Sequence, residues 1–137
     1  MSLDPIEIIT VETLPDKARA MREQGRRLVQ ISAVQLPDAI ELTYSFDLDS
    51  RLTNLRLLLP VEKPGLPSIS SIYLCAVLYE NEIHDLFGVQ VDGMAIDFKG
   101  NFYKTAVKYP FASPKVACAT GTATGAPAPA AAPEVKA

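Results

Sequence analysis

Ile40-Glu41-Leu42-Thr43-Tyr44-Ser45-Phe46-Asp47-Leu48 alternates apolar and polar residues without a break, the cleanest period in the chain. Successive side chains of an extended strand point to opposite faces, so this pattern predicts a strand buried on one face and wet on the other. Working outward, Pro37-Asp38 and Asp49-Ser50-Arg51 are turn formers. They join this stretch to two further predicted strands, residues 27–36 and 52–59. Three sequential strands with short turns make an antiparallel meander.

Before the meander, residues 6–11 are a short apolar run, a strand or extended entry segment. Thr13-Leu14-Pro15-Asp16 reads as a helix start. Thr13 is placed to cap, Asp16 to close a capping-box-like pair, and Pro15 suits a first turn. Leu14, Ala18 and Met21 form one apolar stripe, and Gly25 is the predicted stop. After the meander, Pro60, Pro64, Gly65 and Pro67 predict a loop without regular structure. Ser68-Ile69-Ser70-Ser71 offers N-caps for a second helix running to about Leu86, with Gly88 ending it. Short strands are expected around residues 89–91 and 95–98, then an irregular return through Phe102, Tyr103 and Tyr109. The predicted class is α+β in two layers: a mixed, mainly antiparallel sheet with two helices on one face.

The chain has 137 residues, 48% hydrophobic, with a net charge of −3. That suits one domain, assigned to residues 1–111, followed by an Ala/Pro-rich tail at 112–137 whose composition predicts disorder. No apolar run approaches the roughly 18–20 residues of a bilayer span, and the start carries no basic-then-apolar signal. A cytoplasmic protein is expected. The absence of a basic cluster argues against nucleic acid. Cys75 and Cys118 are far apart, and with one histidine they do not make a closed zinc or iron–sulfur site within the chain. Cys75 reads as a small core residue. No phosphate-binding glycine loop or nucleophile motif occurs.

Tyr79-Glu80-Asn81-Glu82-Ile83-His84-Asp85-Leu86-Phe87-Gly88 follows an apolar stretch and is dense in charge. A helix apolar at one end and acidic at the other is expected to be covered by its own sheet, a pocket or another protein. Glu80 and His84 are four apart, and Glu82 and Asp85 three apart, so each pair shares a helix face. A Glu–His pair at that spacing suits a metal or acid–base couple, but no third ligand is evident nearby. The other reading has Glu80 and Glu82 pairing with arginines (26, 27, 51 and 56 are available) or accepting backbone hydrogen bonds at a buried edge. His84 reads as a surface or interface residue. Leu86 and Phe87 are expected to pack beneath the last turn.

Pro67-Ser68-Ile69-Ser70-Ser71-Ile72-Tyr73, Ala76, and Tyr79-Glu80-x-Glu82-Ile83-x-Asp85-Leu86-Phe87-Gly88-Val89 together resemble the signature of the respiratory complex I 30 kDa subunit family. Residues 28–34 and Leu58-Leu59-Pro60-Val61 extend the resemblance to about residues 6–110. Tyr73 and Leu78 stand where that pattern has tryptophans, and Asn81 where it has arginine. The long basic segment that follows Phe-Gly in complex I subunits is replaced by Phe98-Lys99-Gly100-Asn101-Phe102-Tyr103-Lys104-Thr105. In this the chain is most similar to the small subunit of energy-converting, membrane-bound [NiFe] hydrogenases, including the carbon monoxide-linked type.

The resemblance implies an accessory subunit without a cofactor of its own, in an assembly that couples electron transport to proton translocation. It implies docking on a hydrogenase large subunit carrying the Ni–Fe centre, beside an iron–sulfur small subunit carrying [4Fe–4S] clusters. Membrane subunits are then reached indirectly, on the cytoplasmic face. By the match, Tyr79, Glu80, Glu82, Asp85, Leu86, Phe87 and Gly88 fix the helix end and its interface. The alternatives are a complex I (NADH:quinone oxidoreductase) relative, a stand-alone enzyme using Glu80, His84 and Asp85, and a generic α+β interaction module.

Overall fold

The computed structural model describes residues 4–112. The elements are β1 (Ile6–Ile8), α1 (Leu14–Glu23), β2 (Arg27–Gln35), β3 (Ala39–Leu48), β4 (Arg51–Pro60), β5 (Gly65–Pro67), α2 (Ala76–Phe87) and β6 (Gln90–Asp92). A four-stranded sheet has the order β1-β4-β3-β2, antiparallel throughout the meander, with β1 joining β4 in parallel. The fold is α+β, as the alternation predicted.

β3 buries Ile40, Leu42, Tyr44 and Phe46, and Leu55, Leu57 and Leu59 of β4 line the same face. The opposite face is polar: Ser45 Oγ donates to Asn54 Oδ1 at 2.8 Å, and Arg56 lies 3.4 Å from Glu41. In β2 the inward residues are Leu28 and Ile31, three apart rather than two. A bulge between Leu28 and Gln30 inserts Val29 and resets the alternation. Leu14, Ala18 and Met21 of α1, and Ala76 and Ile83 of α2, join the same core, so both helices cover one face of the sheet.

Several local expectations are corrected. Thr13 does not cap α1 and no capping box forms: its hydroxyl turns back to the Thr10 carbonyl at 3.1 Å, while Asp16 pairs with Arg19 at 2.9 Å. Gly25 does end that helix region, at φ +78°. The proline loop holds a short strand, β5, pairing in parallel with β6. Its proline, Pro67, sits on an edge strand, since the sheet has only two strands, and there a missing donor is tolerated. α2 starts at Ala76, later than the serine cluster, because Ser68 and Ser70 spend their hydroxyls on tertiary contacts. Residues 95–98 form no strand. Cys75 is exposed rather than in the core. The tail from residue 113 onward, with Cys118, lies outside the described residues.

Candidate functional site

Gly88 ends α2 in the left-handed conformation, φ +75°, with its N–H donating to the His84 carbonyl at 3.0 Å. A Cβ at this position would lie 3.0 Å from the Tyr109 ring. Three polar side chains of α2 upstream of that stop, Glu80, Asn81 and Asp85, are buried, and each holds a different piece of irregular chain.

Glu80 is only 1% exposed. Its Oε1 accepts the Ile69 N–H at 2.8 Å and its Oε2 the Ser68 hydroxyl at 2.6 Å. Burial pushes its carboxyl above the ordinary value of 4.5, and these two hydrogen bonds pull the other way. The Tyr44 hydroxyl is also fully buried, and burial together with the nearby Glu80 charge pushes it up. Ser70 Oγ accepts the Ala95 N–H at 2.8 Å, which links the 68–70 turn to the chain beyond β6.

Asn81 is completely buried. Its amide donates to the carbonyls of Val77 (2.8 Å) and Ile96 (3.0 Å), and its Oδ1 accepts the Phe98 N–H at 3.0 Å. Two of these bonds pair backbone groups of a segment without a strand ladder. Asp85 Oδ2 accepts the Tyr103 N–H at 2.8 Å, and Glu82 accepts the Tyr103 hydroxyl at 3.0 Å. The Glu82 hydrogen bond is the main reason that the Tyr103 hydroxyl is pushed up. The Leu86 carbonyl accepts the Phe111 N–H at 2.9 Å, and the Phe87 and Phe111 rings meet edge-on at 5.6 Å. On the sheet side, the Tyr79 hydroxyl donates to the carbonyl of the bulge residue Val29 at 3.0 Å. Residues 93–111 are thus strapped along α2 largely by its side chains.

Of the predicted residues, Glu80 takes the backbone-acceptor role and Glu82 a tyrosine hydroxyl. Neither forms an ion pair among the described residues, where the arginine pairs are with Asp16, Asp47 and Glu41. Glu80, His84 and Asp85 are not brought to one point: Glu80 faces the 68–69 turn and Asp85 faces Tyr103. Among the described residues, no group of three His, Cys, Asp or Glu side chains is placed to hold a metal ion. Sequence reasoning missed Asn81, Ser68 and Ser70. The available signal was an asparagine kept in a helix interior, where it is disfavoured unless its amide has specific partners.

Asn81→Ala is expected to cost about 2–3 kcal/mol, since it empties a fully buried site and leaves the Phe98 N–H and the Ile96 carbonyl without their partner. The check is amide exchange: Phe98 should lose protection while the Leu42 and Leu57 amides keep theirs. An unchanged Phe98 rate would refute the clamp.

Among curated proteins no relative matches this chain. Solved structures that share the fold include the following two. A chain of the archaeal membrane-bound sulfane sulfur reductase, described as a respiratory membrane complex, is 26% identical with a TM-score of 0.64, covering 72% of this chain. The match spans 64% of that archaeal chain's length. The trypsin-resistant fragment of Nqo5 is 21% identical with a TM-score of 0.60, covering 66% of this chain and 80% of the fragment, a likeness of fold alone. The family model described as "Respiratory-chain NADH dehydrogenase, 30 Kd subunit" matches residues 8–110, which include the β2–β4 meander, both helices and nearly all of the strapped segment; the chain belongs to that family.

Proposed function

We propose that this chain is an accessory, cofactor-free subunit of a membrane-associated, energy-converting [NiFe] hydrogenase complex. In this reading it docks on the large subunit that carries nickel and iron, beside the subunit that carries [4Fe–4S] clusters. It sits at the cytoplasmic face of the membrane through those partners. One observation carries the docking role: the acids of α2 each accept hydrogen bonds from the chain's own loops, while large apolar side chains face outward. Leu74, Leu78, Ile96 and Phe98 are each at least 40% exposed around the same helix. Exposed apolar clusters of this kind mark protein contacts. Among the described residues no helix is long and apolar enough to cross a membrane, so attachment through partners fits.

The hydrogenase reading is supported by the compact segment after Gly88, where complex I subunits carry a long basic one. The family description and the Nqo5 fold favour a second reading, the same docking subunit in an NADH:quinone oxidoreductase relative. Purifying the complex from native membranes through a tag on this chain separates the two. The expected result is stoichiometric nickel and hydrogen evolution. A nickel-free preparation that oxidises NADH would install the second reading, and one that reduces sulfane sulfur would align the chain with its archaeal neighbour. Recovery of the chain without any partner would remove all three.

A further inference from the structure

Residues 93–112 form neither helix nor strand, yet they present a distinctive surface. Ile96, Phe98, Tyr103, Val107 and Phe111 are 40–62% exposed. Lys99, Lys104 and Lys108 alternate with them, all exposed, and none forms an ion pair among the described residues. The one acid in the segment, Asp97, accepts the Lys99 N–H at 2.7 Å. Three lysines and one aspartate give this segment a charge of +2 on a chain whose total is −3.

A second observation lies at the same place. Between the end of α2 and this segment is a cleft of about 330 Å3, lined by His84, Asp85, Lys99, Asn101, Lys108 and Tyr109. Asp85 is 6% exposed. Its Oδ1 and the Nδ1 of His84 are buried with no hydrogen-bond partner. Buried polar atoms are ordinarily paired, so an unpaired carboxylate oxygen beside a cleft calls for a donor from outside.

We infer that the 96–111 face is where an acidic subunit docks. Its carboxylates meet Lys99, Lys104 and Lys108, its apolar side chains cover Phe98, Val107 and Phe111, and one amide or cationic side chain enters the cleft to donate to Asp85 Oδ1. This rests on the docking role proposed above and names the surface and the partner's chemistry; the large subunit is the occupant. An anionic bilayer would also meet lysines and rings, but phosphate oxygens only accept hydrogen bonds and cannot satisfy Asp85 Oδ1, whereas a folded partner has amide and cationic side chains to place there. Opposite charges arranged this way govern encounter and specificity.

The experiment compares the native complex carrying wild-type chain with one carrying K99E/K104E/K108E, and uses Arg51→Glu, at the exposed start of β4, as control. Co-purified large subunit, identified by mass spectrometry, is expected to fall about tenfold at moderate salt for the triple variant and to stay unchanged for the control. Thermal unfolding of the free variant should match wild type; if it does not, the lysine-to-glutamine triple replaces it. A photo-crosslinking residue at Val107 should capture the large subunit, and one at Leu58, on the polar sheet face, should not. Full retention of the large subunit by the triple variant would overturn the inference and leave the docking role standing. Absence of any partner from the wild-type preparation would remove both. If charge reversal abolishes flotation with phosphatidylserine vesicles while partners stay bound, the face belongs to lipid and the inference is wrong.

Discussion

Glu80→Ala is expected to cost this domain about 4 kcal/mol and to lower its Tm by roughly 15 °C or more. The substitution empties a fully buried site and leaves the Ile69 N–H and the Ser68 hydroxyl without their acceptor. It also loosens the turn whose Ser70 holds Ala95. Glu80→Gln behaves differently, because its carbonyl still accepts from Ile69 and its amide donates to Ser68. The pH dependence distinguishes the two substitutions. Burial raises the Glu80 carboxyl above 4.5, so the interior favours the protonated form. The stability from that preference is fully present below the unfolded-state value and is lost as pH rises through the folded one. Glu80→Gln has no such loss. Its Tm relative to wild type should therefore climb between about pH 4 and pH 8. A flat difference across that range, by calorimetry, would show that the carboxyl is not held above its ordinary value.

Gly88→Val should be nearly as damaging, at about 3 kcal/mol. A β-branched residue resists the left-handed backbone at φ +75°, and its Cβ meets the Tyr109 ring at 3.0 Å. Gly25 provides the comparison, since it has φ +78° with nothing within 4 Å. Gly25→Val therefore carries the conformational cost alone, about 1–2 kcal/mol. The gap between the two variants measures the Tyr109 contact. Displacing Tyr109 also shifts the 98–111 segment, so Gly88→Val should reduce recovery of partner subunits and Gly25→Val should not. Equal Tm losses and equal recovery would refute the role of the Gly88–Tyr109 approach.

The sheet was legible because β3 alternates strictly and its turns carry Pro, Asp and Ser. The bulge at Val29 was not, since it depends on pairing with β3 and leaves no mark in β2 alone. β5 escaped because a three-residue strand has no period to read and Pro67 argued against it, whereas β6 (Gln90–Asp92) falls within one residue of the strand expected at 89–91. The acidic end of α2 was recognisable as a special segment, and Gly88 as its stop. What its residues hold was not legible: Asn81 looked like the loss of an arginine, and its partners Ile96 and Phe98 are brought to it only by the folded chain. His84 and Asp85 looked like members of a possible reaction centre, and the geometry sends Asp85 to a backbone amide instead.

The segment after β6 is fastened to α2 largely by side chains rather than by a ladder of main-chain pairs. Such an attachment is interchangeable. A descendant can lengthen, shorten or recharge this strip by altering a few positions on one helix, with the meander untouched. Divergence in which larger protein is recognised can then proceed without rebuilding the scaffold.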